Sequence, residues 1–221
     1  MKLVIFDMDG TLIDSGDAIT KTVNNMRFKV GLEPNLQTDF IVEVINKPGV
    51  SYVEMFYPGV EISPDLAQEF EREFAENYAK AAVAYEDIHT LLKNLKDIGV
   101  YISLATNGPA DNATKTLSKV GVLDCFDYVI GANDKIPKKP DPTMLLESIS
   151  TLKAMSGLDY DKSKDLIYFV GDSLKDEKAA INAGIDYLQV TWGFGKNSLK
   201  FPNFNSTKEL FKHIKDSFYQ S

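Results

Sequence analysis

The chain has 221 residues, of which 44% are hydrophobic and 25% charged; that balance suits a globular protein with a sizeable core and excludes a disordered, fibrous or collagen-like chain. Twenty-four Lys and Arg against 32 Asp and Glu leave a formal net charge of −8 and a pI near 4.9, so neither nucleic acid nor an anionic membrane is expected as a main partner. The single cysteine, Cys125, excludes an intrachain disulfide and a thiolate zinc site, and reads as a small buried side chain in a reducing compartment.

Residues 3–6 form a short apolar run that reads as a first buried strand. Asp7 and Asp9 interrupt it before a signal-peptide core or a membrane span could form, and a cytoplasmic protein is expected. The stretch 15–85 then breaks into helical patterns without a convincing strand: 18–30, 38–45, a Lys47-Pro48-Gly49 turn, and a long helix. Ser63 and Pro64 open that helix as N-cap and first helical residue, and Leu66, Phe70, Phe74, Tyr78 and Ala82 recur every four residues along it. Beyond it strands and helices alternate. Helix 86–98 stops at Gly99, strand 100–105 follows, and helix 111–120 stops at Gly121; then come strands at 128–130 and 166–170, helix 174–183 ahead of Gly184, and a strand at 185–190.

The strands are short, β-branched or aromatic, and not alternating, as expected where helices cover both faces of a parallel sheet. The fold expected is α/β: a doubly wound, Rossmann-like, five-stranded parallel sheet forming a core from residues 1–14 and 86–221, with a small all-helical domain, 15–85, inserted after the first strand.

In such a sheet, ligands bind outside the carboxyl ends of the strands. The first strand is followed by Asp7-Met8-Asp9-Gly10-Thr11, the second by Thr106-Asn107-Gly108. The third leads to Lys138-Lys139-Pro140-Asp141-Pro142, and the fourth to Gly171-Asp172-Ser173-Leu174-Lys175-Asp176. Carboxylates, a hydroxyl and a lysine converging on one spot suit a phosphoryl group and a hard divalent cation. Mg²⁺ takes oxygen ligands and is satisfied by a few carboxylates plus substrate phosphate. Thr hydroxyl, backbone N–H and Lys ammonium hold phosphoryl oxygens. An Asp carboxylate can attack phosphorus while a second protonates the leaving oxygen.

These four segments, in this order, resemble the motifs of the haloacid dehalogenase superfamily of phosphohydrolases, and the likeness spans roughly residues 1–195. The helical insertion falls where that superfamily places its helical cap. The resemblance implies Asp7 as nucleophile and Asp9 as the acid, later the base. It implies Thr106 and Lys139 as binders of phosphoryl oxygens, with Lys139 preferred to Lys138 because it directly precedes Pro-Asp-Pro. Backbone N–H groups around Met8, Asp9 and Asn107 would complete the phosphate cradle. Mg²⁺ would be held by Asp7, the backbone carbonyl of Asp9, Asp172 and, directly or through water, Asp176. Asp9 also favours phosphate esters over halides, since a halide leaving group needs no proton. The run Thr191-Trp192-Gly193-Phe194-Gly195 is similar to a loop of phosphoglycolate phosphatases.

The reaction these implications describe is Mg²⁺-dependent hydrolysis of a small phosphorylated metabolite, such as phosphoglycolate, by a monomer or homodimer. A phosphomutase of the same superfamily is the alternative; a catalytically silent binding module fits less well, because every catalytic residue type is present. Among the insertion's charges, Lys47 is the candidate for reading a second anionic group on the substrate.

Overall fold

The computed structural model describes residues 1–47, 49–157 and 165–220, with the side chain of Gln220 left aside. The chain divides into two compact units, one of Met1–Leu12 with residues 84–221 and the other Ile13–Val83. In chain order the elements are β1 (Lys2–Phe6), β2 (Ile13–Asp14), α1 (Gly16–Lys29), α2 (Thr38–Asn46), α3 (Tyr52–Phe56), α4 (Pro64–Ala81) and β3 (Val83–Ala84). They continue with α5 (Ile88–Asp97), β4 (Tyr101–Thr106), α6 (Ala110–Lys119), a 3₁₀ turn at Leu123–Cys125, β5 (Tyr128–Gly131) and α7 (Thr143–Ser156). The last are β6 (Leu166–Gly171), α8 (Leu174–Ala183), β7 (Asp186–Val190), β8 (Asn203–Phe204) and α9 (Thr207–Gln220).

The larger unit is built on a parallel sheet of six strands, in the order β5-β4-β1-β6-β7-β8. The expected five strands are all there, and the sixth is β8. It consists of only two residues, and Asn203–Phe204 is too short for any hydrophobic period to show in sequence. Leu3, Ile5, Phe169 and Tyr187 are fully buried with Leu145 and Leu152 of α7 and Ala179 and Ala180 of α8, which explains the unbroken apolar runs. The connection direction reverses at β1, with β4 on one side and β6 on the other. The register pairs Phe6 with both Leu104 and Val170, so the carboxyl ends of the three central strands finish together. That edge is where a doubly wound sheet places its ligand.

The smaller unit is not purely helical as expected, because β2 and β3 form a two-stranded sheet at its chain ends. Two residues per strand leave no alternation to read. Its core gathers Val23, Met26, Ile41, Val44, Phe56 and Tyr57 from α1, α2 and α3 and the residue after it. Ser63 caps α4 by accepting the Leu66 N–H at 3.2 Å, with Pro64 at the first helical position. Pro48 of the expected Lys47-Pro48-Gly49 turn lies outside the described residues. The helix expected over 86–98 starts at Ile88, because Asp87 takes a left-handed conformation, φ 59°, which cannot lie within an α-helix. Cys125, expected to be buried, is half-buried at the end of the 3₁₀ turn.

Candidate active site

Asp7 follows β1, and its N–H donates to Val170 O at 2.9 Å, which carries the parallel pairing one residue past the strand. The chain must then turn sharply. Gly10 has φ +81°, and a Cβ there would run into the Asp172 carboxyl group and, at 2.8 Å, the Phe194 ring, so glycine is required for conformation and for close approach alike. Met8 is buried and its carbonyl accepts the Leu12 N–H at 2.9 Å, which stabilises the turn.

At the end of β4, Thr106 is buried and its hydroxyl accepts the Gly108 N–H at 3.2 Å. Asn107 braces the third segment: its Oδ1 accepts the Lys139 N–H at 2.7 Å and its Nδ2 donates to Lys139 O at 3.2 Å. The Asn107 side chain is thus committed to the main chain of Lys139. Asn182 of α8 donates to Pro140 O at 3.0 Å, and the Asp141 carboxylate accepts the Thr143 N–H at 2.9 Å as α7 begins. With its backbone held on three sides, Lys139 points inward while Lys138 is exposed.

The Lys139 ammonium ion-pairs with Asp7 and, at 2.7 Å, with Asp176 Oδ1, and lies 5.2 Å from the centroid of the Phe169 ring. Asp176 is also the N3 residue of a capping box: the Ser173 side chain caps α8, and Asp176 Oδ2 accepts the Ser173 N–H at 3.1 Å. Asp172 is held at both ends, Oδ2 by the Phe194 N–H at 3.0 Å and its main-chain carbonyl by Gln189 Nε2 at 2.6 Å. The loop of residues 191–195 lies against this turn. A Cβ on Gly193 would overlap the Gly10 carbonyl and one on Gly195 the Asp172 carbonyl, while Trp192 Nε1 donates to Thr11 O at 3.0 Å.

Asp7, Asp172 and Asp176 each place a carboxylate oxygen within 4.8 Å of the other two, and they are 8%, 2% and 1% exposed. One ammonium faces three carboxylates. Burial and the neighbouring Asp176 push the Asp7 carboxyl up to about 7 in spite of Lys139, with a smaller contribution from Asp9. Asp172 is likewise held well above the ordinary carboxylate range by burial, then by Asp176 and Asp7, while the Phe194 N–H works the other way. Burial opposes the charge on Lys139, but Asp176 and Asp7 outweigh it, and the lysine holds its proton more tightly than usual. A hard divalent cation suits this set: all donors are oxygens, the cluster is compact, and it carries more negative charge than one ammonium neutralises. Asp9 is half-buried and its carboxylate stands outside the group of three.

Of the residues singled out from sequence, the structure brings Asp7, Lys139, Asp172 and Asp176 into direct association and sets Thr106 and Asn107 at the end of the adjacent strand. Lys47 is exposed in the other unit, at the end of α2. Ser173 caps α8 as Gly-Asp-Ser ahead of a helix leads one to expect, whereas the supporting roles of Tyr187, Gln189 and the Phe194 amide do not show in the sequence pattern. A glutamine in the apolar strand 185–190 was the available signal, since a buried amide needs partners.

The family profile described as haloacid dehalogenase-like hydrolase matches residues 4–190. A phosphoglycolate phosphatase of Psychrobacter arcticus is 33% identical over 87% of this chain and 84% of its own length, and one of Rhodobacter capsulatus 29% identical over 89% and 87%. A crystal structure from Haemophilus somnus, described as a predicted phosphoglycolate phosphatase, superposes with a TM-score of 0.77 at 25% identity, covering 96% of this chain and 97% of that one. The chain belongs to the haloacid dehalogenase-like hydrolase family and is an enzyme of the phosphoric monoester hydrolase class.

Proposed function

We propose that the protein hydrolyses a small phosphorylated acid of the phosphoglycolate type, with Mg²⁺ as cofactor and an aspartyl phosphate on Asp7 as intermediate. The observation that carries this reading is the buried Asp7–Lys139–Asp176 bridge beside Asp172, at the carboxyl end of the central strand. Buried charge of this kind has no evident value for folding, because desolvation offsets most of the attraction. The names of the relatives supply the substrate class.

In this mechanism an Asp7 carboxylate oxygen attacks phosphorus, and the bond from phosphorus to the alcohol oxygen breaks. Asp9 gives its proton to that leaving oxygen. Asp9 then takes a proton from water, whose oxygen attacks the phosphorus of the acyl phosphate and releases inorganic phosphate and Asp7. Lys139, the Thr106 hydroxyl and the backbone N–H groups near Met8 and Asn107 bind the equatorial oxygens, where their charge and dipoles offset the negative charge. Asp7, the Asp9 carbonyl, Asp172 and Asp176 would hold the divalent ion, which when bound adds positive charge against those oxygens. Asp9 is suited to proton transfer because its carboxylate lies outside the compact group of three, adds only the smallest push on Asp7, and is half-buried rather than enclosed.

Catalysis is assigned to the unit of Met1–Leu12 and residues 84–221, and selection of the substrate to the inserted unit, with Lys47 as the residue to test. A cytoplasmic protein acting as a monomer or homodimer, without nucleic acid or membrane as partner, completes the proposal. No described helix is long and apolar enough to cross a membrane.

The test is phosphate release over a panel of phosphoacids, phosphosugars and nucleotides, with Mg²⁺ and with EDTA. The expected result is Mg²⁺-dependent bulk release, fastest on phosphoglycolate. Turnover of a sugar phosphate only with a bisphosphate activator, and without net phosphate release, would establish the mutase instead.

A further inference from the structure

We propose that Tyr187 and Gln189, on the strand beside the site, form a buried relay that positions the Asp172 turn and thereby sets the affinity of the site for its divalent ion. The proposal rests on the reading of Asp172 as a metal ligand. β7 lies parallel to β6, with Gln189 in register with Gly171, the residue before Asp172. The Gln189 side chain therefore stands beside the turn that leaves β6.

Its amide is fully used. Nε2 donates to Asp172 O at 2.6 Å and to Val190 O at 2.8 Å, and Oε1 accepts the Tyr187 hydroxyl at 2.8 Å. Two carbonyls on one side and a hydroxyl on the other fix the orientation of the amide, because the flipped form would set oxygen against both carbonyls. The Tyr187 hydroxyl has one proton and gives it to Gln189; Ser173 O lies further away, at 3.4 Å. Tyr187 is fully enclosed and Gln189 nearly so, with the Tyr187 ring centroid 6.2 Å from that of Phe169 and 5.6 Å from that of Phe201.

The packed ring thus holds the hydroxyl, the hydroxyl orients the amide, and the amide holds the Asp172 carbonyl. The carboxylate of the same residue is gripped by the Phe194 N–H, from the loop that directly follows β7. Both ends of Asp172 are consequently fixed from β7 and its continuation, while the other two acids of the cluster come from β1 and α8. Moving the turn by a fraction of an ångström would change how well three carboxylates share one ion. Outer partners of this kind commonly govern metal affinity by about ten- to a hundredfold. Tyr187 and Gln189 are positioning residues; neither is assigned contact with ion or substrate.

The experiment measures Mn²⁺ binding to the metal-free full-length protein by electron paramagnetic resonance of the free ion, without turnover. The variants are Gln189→Met, Tyr187→Phe, the double variant and Asp172→Ala, with melting temperatures in EDTA alongside. Gln189→Met is expected to weaken Mn²⁺ binding about tenfold and Tyr187→Phe about threefold. The double variant should be no weaker than Gln189→Met, because Tyr187 acts through Gln189; independent packing losses would instead multiply to about thirtyfold. Wild-type affinity in Gln189→Met, or multiplied losses in the double variant, overturns the relay. If Gln189→Met does not fold, Tyr187→Phe decides, since it keeps the ring and unchanged affinity defeats the proposal. Asp172→Ala separates the two levels: strong Mn²⁺ binding there refutes the assignment of the site, and the relay with it.

Discussion

In the larger unit, three carboxylates and Lys139 are buried against one another at the end of β1, β4 and β6; in the inserted unit, the only charged side chain buried among the described residues is Arg27. Its guanidinium donates from Nε to Glu33 O at 2.8 Å and from Nη1 to Phe56 O, so it ties the connection after α1 and the end of α3 to α1. Tyr57, beside it, is pushed up to about 12 by burial against the opposing pull of Arg27, and remains a neutral phenol. Other charges of that unit pair closer to solvent, as Lys29 does with Glu69 at 2.6 Å and Arg72 with Glu76 at 3.1 Å. A buried cation that satisfies main-chain carbonyls has a folding rationale. Like charges buried together have none, and this contrast is what supports the site proposed for the larger unit.

The comparison makes opposite predictions for the two units. The largest effect is expected from Asp7→Asn, which removes the nucleophile: Mg²⁺-dependent phosphate release should fall at least about a thousandfold in a steady-state assay. Near-normal turnover would remove Asp7 from the mechanism. Asp172→Asn should separate stability from function. It removes a carboxyl group whose ionisation burial and the neighbouring acids oppose, while an amide oxygen can still accept the Phe194 N–H. In EDTA the variant should therefore melt a few degrees above wild type, a gain of about 1 kcal/mol, and it should no longer be stabilised by added Mg²⁺. Destabilisation in EDTA would show that the cluster supports folding after all.

How much of this was legible beforehand follows the range over which each signal acts. The long strands and capped helices were readable because apolar runs, Ser63-Pro64 and Gly184 are local signals. The strand ends assembled Asp7, Thr106, Lys139 and Asp172 in sequence because a parallel sheet brings its carboxyl ends to one edge, so order along the chain stands in for proximity. The two-residue strands β2, β3 and β8 were not readable, since pairing partners rather than composition create them. The preference for Lys139 over Lys138 was readable from its place before Pro-Asp-Pro, but the Asn107 brace that holds its main chain, a contact across 32 positions of sequence, was not. The grip of Gln189 and Phe194 on Asp172 likewise depends on which strand lies next to β6. Sequence patterns report a residue's own element well and its neighbours across the sheet poorly.

Smaller effects are expected in the inserted unit. Arg27→Met keeps the apolar stem but removes both guanidinium hydrogen bonds, leaving Glu33 O with the Asn35 N–H alone and taking the side-chain donor from Phe56 O, so it should cost about 2 kcal/mol in denaturant unfolding. Its kcat on a small aryl phosphate should stay within about twofold of wild type, provided the assay is run well below the lowered melting temperature. A large loss of kcat with stability intact would give Arg27 a place in the chemistry and erase the contrast between the units. Arg72→Ala tests the same contrast from its quiet end. Its partners Glu69 and Glu76 are 38% and 53% exposed, with Arg72 itself 60% exposed, and solvent screens such pairs while the long side chains lose freedom in forming them. Its melting temperature should lie within about 1 °C of wild type, because exposed pairs of this kind rarely contribute measurably. A clear loss of stability would mean that Arg72, Glu69 and Lys29 act as a network on the face shared by α1 and α4, and the insertion would then rely on charge for folding in a way that the larger unit does not.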